Sequence, residues 1–435
     1  MNLAKIKTKA ANLFQSSLAR DTLWMLFSKL FNVVMQAAYF IIVARILGKE
    51  NYGSFIVITA IASIVFPFVP MGSEHLLIKN VSTDKASFST HWGNGLTLLI
   101  ANGILFTLIL LLLSPWLFPP NVPWGTVLLI LLADLICLAL LDLGFKSLMA
   151  TNMVDKTAQL GVLSTCSKLL AALSLAIFFT NPSVAIWGYL YFASSAIMAI
   201  VTIILVNKMI GSPRPVLSEL KSNLSQGLYF SISTSANNIN ANLDKSMLGK
   251  LSSVGAAGIY GSAYRFIDVG NVPLLALFGA TYTRFFQHGE SGIRGSLKFA
   301  KRLIPILILY AIASIVGYLV LAPFIPLILG EEYREAVEAL LWLSPLPALA
   351  TFQYLAADTL TGSGNQKARS VVQVGAAVTN VLLNIWLIPQ FSWKGAACAT
   401  LISDSLRLVC LWIIVFLLYR QQSDRDYLNK QKQTS

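Results

Sequence analysis

Lys29, Asp134, Lys168, Asp244, Lys245, Arg265, Asp268, Asp404 and Arg407 interrupt otherwise apolar stretches of the chain. A charge placed in hydrocarbon is costly and calls for a partner, a water-filled cavity or a ligand, so each is a functional candidate. Arg265 with Asp268, and Asp404 with Arg407, stand three residues apart on one helical face and can neutralise each other; a structural ion pair accounts for them as well as a site does. Lys29 and Lys168 have no acid one turn away, so each needs Asp134, a cavity or an anionic substrate. If these cations converge, the cavity suits an anionic group such as a pyrophosphate, met by Lys as a point charge and by Arg through forked hydrogen bonds.

A second constellation is neutral. Gln226, Ser231, Ser233, Ser235, Asn237, Asn238, Asn240, Asn242 and Asp244 crowd one stretch. Gln226, Ser233, Asn237, Asn240 and Asp244 succeed one another at helical spacing and share a stripe, which makes that stripe a candidate transport pathway. With Tyr229 and Tyr264 it offers the hydrogen bonds and stacking faces that carbohydrates use, although a single aromatic is more often core. Asp244 is the candidate for binding a coupling proton or sodium ion; a plain contact with Lys245 or Lys250 is the alternative. No Gly-rich phosphate loop ends in Gly-Lys-Ser/Thr, since Lys250 comes after a glycine but precedes Leu251. Energy is therefore expected from an ion gradient or the membrane potential. His75, His91 and His288 are scattered, and Cys137, Cys166, Cys398 and Cys410 fall in apolar runs, so neither a metal, a disulfide, a bound cofactor nor a catalytic set is expected.

The elements that position these residues must lie in lipid. The chain has 435 residues, 56% hydrophobic and 12% charged, and apolar windows of about 20 residues recur along it with little between them. The formal charge of +13 is spread over short loops rather than gathered in a patch, which argues against nucleic acid. About twelve membrane helices are expected. Lys and Arg accumulate on alternate loops, which puts both termini in the cytoplasm and requires an even number of spans. The polar seventh span, at 224–249, is needed to keep that alternation. The expected organisation is a cytoplasmic interfacial amphipathic helix at 1–21, a six-helix bundle at 22–207, a cytoplasmic linker at 208–223, a second six-helix bundle at 224–420 and a cytoplasmic tail at 421–435. Leu47-Gly48-Lys49 with Tyr52-Gly53 recurs as Leu248-Gly249-Lys250 with Tyr260-Gly261, so the fold class is an all-α membrane protein of two pseudo-symmetric bundles around a central cavity.

The stretch Ala44-Arg45-Ile46-Leu47-Gly48-Lys49-Glu50-Asn51-Tyr52-Gly53 resembles the loop after the first span of Wzx-type oligosaccharide flippases. Asp244 with Leu248-Gly249, Gly258-Ile259-Tyr260 and Ala263-Tyr264-Arg265 after it, and then Leu329-Gly330-Glu331-Glu332-Tyr333-Arg334-Glu335-Ala336, resemble the same family in the same order. The resemblance implies membership of the superfamily of multidrug, oligosaccharidyl-lipid and polysaccharide exporters. It implies a flippase that moves a lipid-linked oligosaccharide across a bacterial inner membrane by alternating access, for surface polysaccharide biosynthesis. It also implies that cavity cations hold the lipid pyrophosphate, a role carried here to Lys29, Lys168, Arg265 and Arg407, and that membrane lipids, glycosyltransferases and a polymerase are neighbours. An ion-coupled multidrug or small-molecule antiporter of the same superfamily is the alternative; its pocket should favour acids and aromatics over Lys and Arg. An enzyme is not expected, because the outer loops are short and Ser114 to Val122 carries no charge.

Overall fold

The computed structural model describes residues 17–120 and 122–434, and every regular element among them is helical. The interfacial helix expected at 1–21 lies largely outside the described residues. The helices are α1 (Ser17–Val65), α2 (Ser73–Thr83), α3 (Phe88–Leu112), α4 (Trp124–Leu132), α5 (Ala139–Ala150), α6 (Val154–Phe178), α7 (Val184–Met209), α8 (Leu217–Leu251), α9 (Val254–Gly289), α10 (Ile293–Leu321), α11 (Arg334–Leu343), α12 (Leu346–Gly362), α13 (Gln366–Phe391) and α14 (Trp393–Thr434). A wider π-helical stretch, Ala133–Leu138, joins α4 to α5. Nine helices among the described residues are long and apolar enough to cross a membrane. The first of them is divided at Gly48, whose φ of 71° is not helical. Continuous helices also cover the polar seventh span and the eighth, as α8 and α9, although neither is apolar enough to be counted among the nine.

Two compact units divide the chain. One runs to Leu47 and resumes over Ala62–Ser235; the other holds Gly48–Ile61 and continues from Ala236. The expected loop at 208–223 is shorter than that range, because α8 already starts at Leu217.

The first unit contains a break just after its first long helix. α1 stops at Val65, a tight turn covers Phe66–Phe68, Met71 and Gly72 take φ values of 50° and 75°, and the chain becomes helical again at Ser73. Pro67 and Pro70 lack the N–H groups a continuous helix would need. Carbonyls left over where the helix breaks find donors: Ser231 Oγ donates to Pro67 O at 2.7 Å, Ser235 Oγ to Ile64 O at 2.7 Å, and Asn102 Nδ2 to Val69 O at 3.2 Å. Ser231 and Ser235 are buried. In lipid such unsatisfied backbone would be prohibitive, so two polar residues of the seventh span serve to close a broken helix.

In the second unit the Gly-rich motifs meet. A Cβ on Gly53 would stand 1.8 Å from Val254 O, and one on Gly258 would stand 2.1 Å from Lys49 O. The two backbones therefore touch at a crossing that only glycine permits. Glu332 closes the same corner by accepting a hydrogen bond from Lys49 N at 3.3 Å.

Candidate functional site

Each unit buries one aspartate within a tyrosine hydrogen bond. In the second unit Asp244, on α8, is 1% exposed. Tyr260 Oη, from α9, donates to its Oδ2 at 2.7 Å, and the Lys245 backbone N–H donates to Oδ1 at 2.7 Å. α14 contributes Thr400 Oγ1, 3.2 Å from Tyr260 Oη and 3.5 Å from Asp244 Oδ2. α13 continues the polar wall: Asn380 Nδ2 donates to Ser403 Oγ at 3.0 Å, and Asn384 Nδ2 donates to Asn380 Oδ1 at 2.9 Å. Asn380 with Asn384, and Thr400 with Ser403, are four and three residues apart, so each pair shares one helical face.

Two features bear on what this cluster could hold. The Lys245 ammonium turns away from the carboxylate, donating to Ala241 O at 2.8 Å and Asn242 Oδ1 at 2.9 Å while lying 4.4 Å from the centre of the Tyr264 ring. Asn384 Oδ1 is buried and accepts no hydrogen bond, a state that costs about 1–3 kcal/mol when nothing answers it. One carboxylate surrounded by neutral amide and hydroxyl oxygens matches the hard-donor preference of a small cation. Among the described residues no group of three His, Cys, Asp or Glu side chains is placed to hold a metal.

Near it, Arg265 and Asp268 on α9 are exposed, and their charges lie close enough to act on Lys245. The Arg265 guanidinium also hydrogen-bonds the Tyr52 hydroxyl. Exposed charges within a membrane helix must face water rather than lipid, so this face of α9 borders an aqueous region. Asn237 is exposed and Asn240 half-buried on α8. Arg407 is held by its own acid, Asp404, at 3.1 Å, and it donates to Gln353 Oε1. Gln353 Nε2 in turn donates to Asp404 O at 2.7 Å.

In the first unit Asp134 stands on the π-helical stretch between α4 and α5 and is 8% exposed. Tyr191 Oη, from α7, donates to its Oδ1 at 2.7 Å, and Lys168 Nζ, from α6, lies 5.3 Å from the centre of the Tyr191 ring. The charge of Lys168 is close enough to act on Asp134, and both lie against Tyr191. The side chains of Lys29, Gln226, Tyr229 and Ser233 lie outside the described ones. Asn380, Asn384, Thr400, Ser403 and Tyr191 escape the sequence reading, and Tyr260 entered it only as part of a motif, although Asn380 and Asn384 carried a signal: two amides one turn apart in an apolar span.

A polysaccharide biosynthesis protein family matches residues 18–288, more than half of the chain. The chain belongs to that family. No curated protein sequence matches it. Among solved structures, an inward-facing multidrug-resistance MATE transporter of the MOP superfamily aligns with a TM-score of 0.73 at 14% identity, over 89% of this chain and 96% of that one. The lipid II flippase MurJ, in an inward closed conformation, aligns with a TM-score of 0.68 at 12% identity, over 90% of this chain and 87% of that one. A MOP-superfamily transporter from Pyrococcus furiosus, described by a binding pocket of reversed polarity, aligns with a TM-score of 0.55 at 13% identity, over 91% and 94%. At these identities the structural likeness speaks for the fold. Family and fold together make this polysaccharide biosynthesis family member an all-α, multi-pass membrane protein with the fold of those transporters.

Proposed function

We propose that this exporter moves a lipid-linked pyrophosphate oligosaccharide across the bacterial cytoplasmic membrane by alternating access, for surface polysaccharide biosynthesis, with both termini in the cytoplasm. The observation that carries the reading is the family match over 18–288. The chemistry of the second unit supports it: Arg265 is an exposed guanidinium within a span and suits a phosphate oxygen, while exposed Asn237 and half-buried Asn240 suit sugar hydroxyls. Lys168 is a second candidate for the anion, tempered by Asp134 and Tyr191, and Arg407 is weaker because Asp404 and Gln353 already engage it.

Asp244 is the proposed coupling group. A proton or a sodium ion entering there would be held by the carboxylate, with Thr400 Oγ1 and the Asn380 and Asn384 amide oxygens within the same cluster. Glycosyltransferases and a polymerase would supply and consume the cargo. The likeness to a multidrug-resistance transporter favours a second reading, ion-coupled export of a small organic cation.

The deciding assay tracks lipid-linked oligosaccharide to the outer leaflet in spheroplasts or proteoliposomes, beside an organic-cation efflux control. The expected result is lipid movement that is lost in Arg265→Ala at unchanged protein abundance, without cation efflux. Efflux of the organic cation with no lipid movement would replace the substrate.

A further inference from the structure

We propose that the start of α10 and the apolar stripe beyond it form a binding site for an anionic glycerophospholipid. This surface belongs to the second unit and is separate from the Asp244 cluster. Ile293, Ser296, Phe299 and Ala300 fasten the first turns inward. Phe299 meets Phe285 edge-on at 5.0 Å and stacks with His288 at 4.7 Å, and Ser296 Oγ donates to Phe285 O at 3.3 Å. With that face committed, Lys298, Lys301 and Arg302 are held outward and exposed. None of the three has an ion pair or side-chain hydrogen bond among the described residues, whereas nearby Arg294 is occupied by Ser423 and lies 5.3 Å from the Tyr419 ring centre. Three like charges within one helical turn repel one another, and an anion placed among them relieves that repulsion.

The surface beyond the triad argues for a lipid rather than a free phosphate. Lys298, Arg302, Pro305, Leu309, Ile312, Val316 and Leu319 succeed one another at alternating steps of four and three and so form one face. Leu309, Ile312, Val316 and Leu319 are between 51% and 67% exposed. At about 1.5 Å per residue the stretch from Pro305 to Leu319 is about 21 Å long, more than the roughly 15 Å of one hydrocarbon leaflet. The face therefore reads as headgroup site, then acyl track. Pro305 adds a polar contact, because without an N–H it leaves the Lys301 carbonyl lacking its helical donor at the level of the triad. A headgroup with both a phosphate and a free hydroxyl, as in phosphatidylglycerol, answers the cations and that carbonyl together.

Native mass spectrometry of the full-length protein, given equal amounts of phosphatidylglycerol and phosphatidylethanolamine in detergent, tests the site. The wild type should retain phosphatidylglycerol preferentially. Lys298→Gln with Lys301→Gln and Arg302→Gln should lower that retention by at least about tenfold, and Lys298→Arg with Lys301→Arg and Arg302→Lys should preserve it. Arg302→Gln alone, on an exposed turn, should lower it in part and decides the matter if the triple variant does not accumulate. Lys79→Gln with Lys85→Gln, exposed lysines of the first unit, should leave retention unchanged, and millimolar inorganic phosphate should not displace the lipid. Equal retention of the two lipids by the wild type, full retention by the triple or single glutamine variant, equal loss in the Lys79 and Lys85 control, or displacement by phosphate would each overturn the proposal.

Discussion

Asp134 and Asp244 each accept a 2.7 Å hydrogen bond from a tyrosine hydroxyl, and each has a lysine lying against a tyrosine ring close by. Beyond that shared core their surroundings diverge. Around Asp244, α13 and α14 supply two asparagines, a threonine and a serine, and one amide oxygen is left without a donor. Beside Asp134 stand the Tyr191 hydroxyl and the charge of Lys168. A lysine charge reaches both carboxylates, so the difference lies in the neutral oxygens: the amides and hydroxyls beside Asp244 could give a cation further ligands. Coupling is assigned on that contrast to the second unit, and Asp134 is left to fix Lys168 in place.

The largest effect is expected at the carboxylate proposed to hold the cation. Asp244→Asn keeps the size of the side chain and its bond from Tyr260 but removes the charge. Transport in proteoliposomes should fall by about tenfold or more and become insensitive to an imposed sodium or proton gradient, since a hydrogen bond to a charged group is worth about 1.5–3 kcal/mol and each 1.4 kcal/mol is tenfold. The same substitution at Asp134 should leave gradient dependence intact. If Asp134→Asn abolished it and Asp244→Asn did not, the assignment of the two units would be reversed.

Next in size is the neutral wall. Asn384→Leu removes an acceptor whose only satisfied atom is its amide nitrogen. If the site takes a sodium ion, half-saturation should rise by about tenfold, the equivalent of about 1.4 kcal/mol, with the maximal rate little changed. A core asparagine with no ligand predicts the opposite: Leu in its place would raise thermal stability and leave the ion dependence alone, because an unsatisfied buried acceptor is a cost.

The chemistry of the residues decides how much of this was legible beforehand. Charges inside apolar runs stand out, so Asp134, Lys168, Asp244, Arg265 and Arg407 could be named from the sequence, and the charge alternation kept the polar seventh span as a helix. Partners on other helices could not be named, because nothing in local spacing ties Tyr260, Asn384 and Thr400 to Asp244 across 16, 140 and 156 positions. Ser231 and Ser235 belonged to the polar crowd of that span, and only the break at Phe66–Gly72 shows what they satisfy. The motif around Gly48 to Gly53 marked the family, while its physical purpose, a backbone crossing with Val254 and Gly258, needed the fold.

A milder separation of the two aspartates tests whether Lys168 is positioned or free. Asp134→Asn leaves an amide that can still accept from Tyr191, so the fold should lose only about 1 kcal/mol, the ordinary worth of one exchanged hydrogen bond. The charge that balances Lys168 is gone, and the ammonium is freer to move. Apparent affinity for the lipid-linked substrate should therefore change while the ion dependence stays as in the wild type. An unchanged affinity in Asp134→Asn, together with a loss in Lys168→Gln, would mean that the lysine acts without its aspartate.

The subtlest change in ion dependence comes from deleting the tyrosine hydroxyl at each site. Tyr260→Phe removes a donor to Asp244 and a neighbour of Thr400, while Tyr191→Phe removes a donor to Asp134 and leaves its ring against Lys168. Each variant forfeits about 1–2 kcal/mol of interaction with a carboxylate. At Asp244 the loss should appear in ion dependence, because Tyr260 competes with the cation for Oδ2 and its removal leaves the cation more tightly held. Half-saturation should fall and release should slow, so turnover drops even as affinity rises. At Asp134 no ion response should move, and the change should be confined to stability. Matching shifts of ion dependence in both tyrosine variants would show that the two carboxylates titrate in one cycle, and the contrast drawn from their neutral neighbours would then describe two halves of a single coupling device.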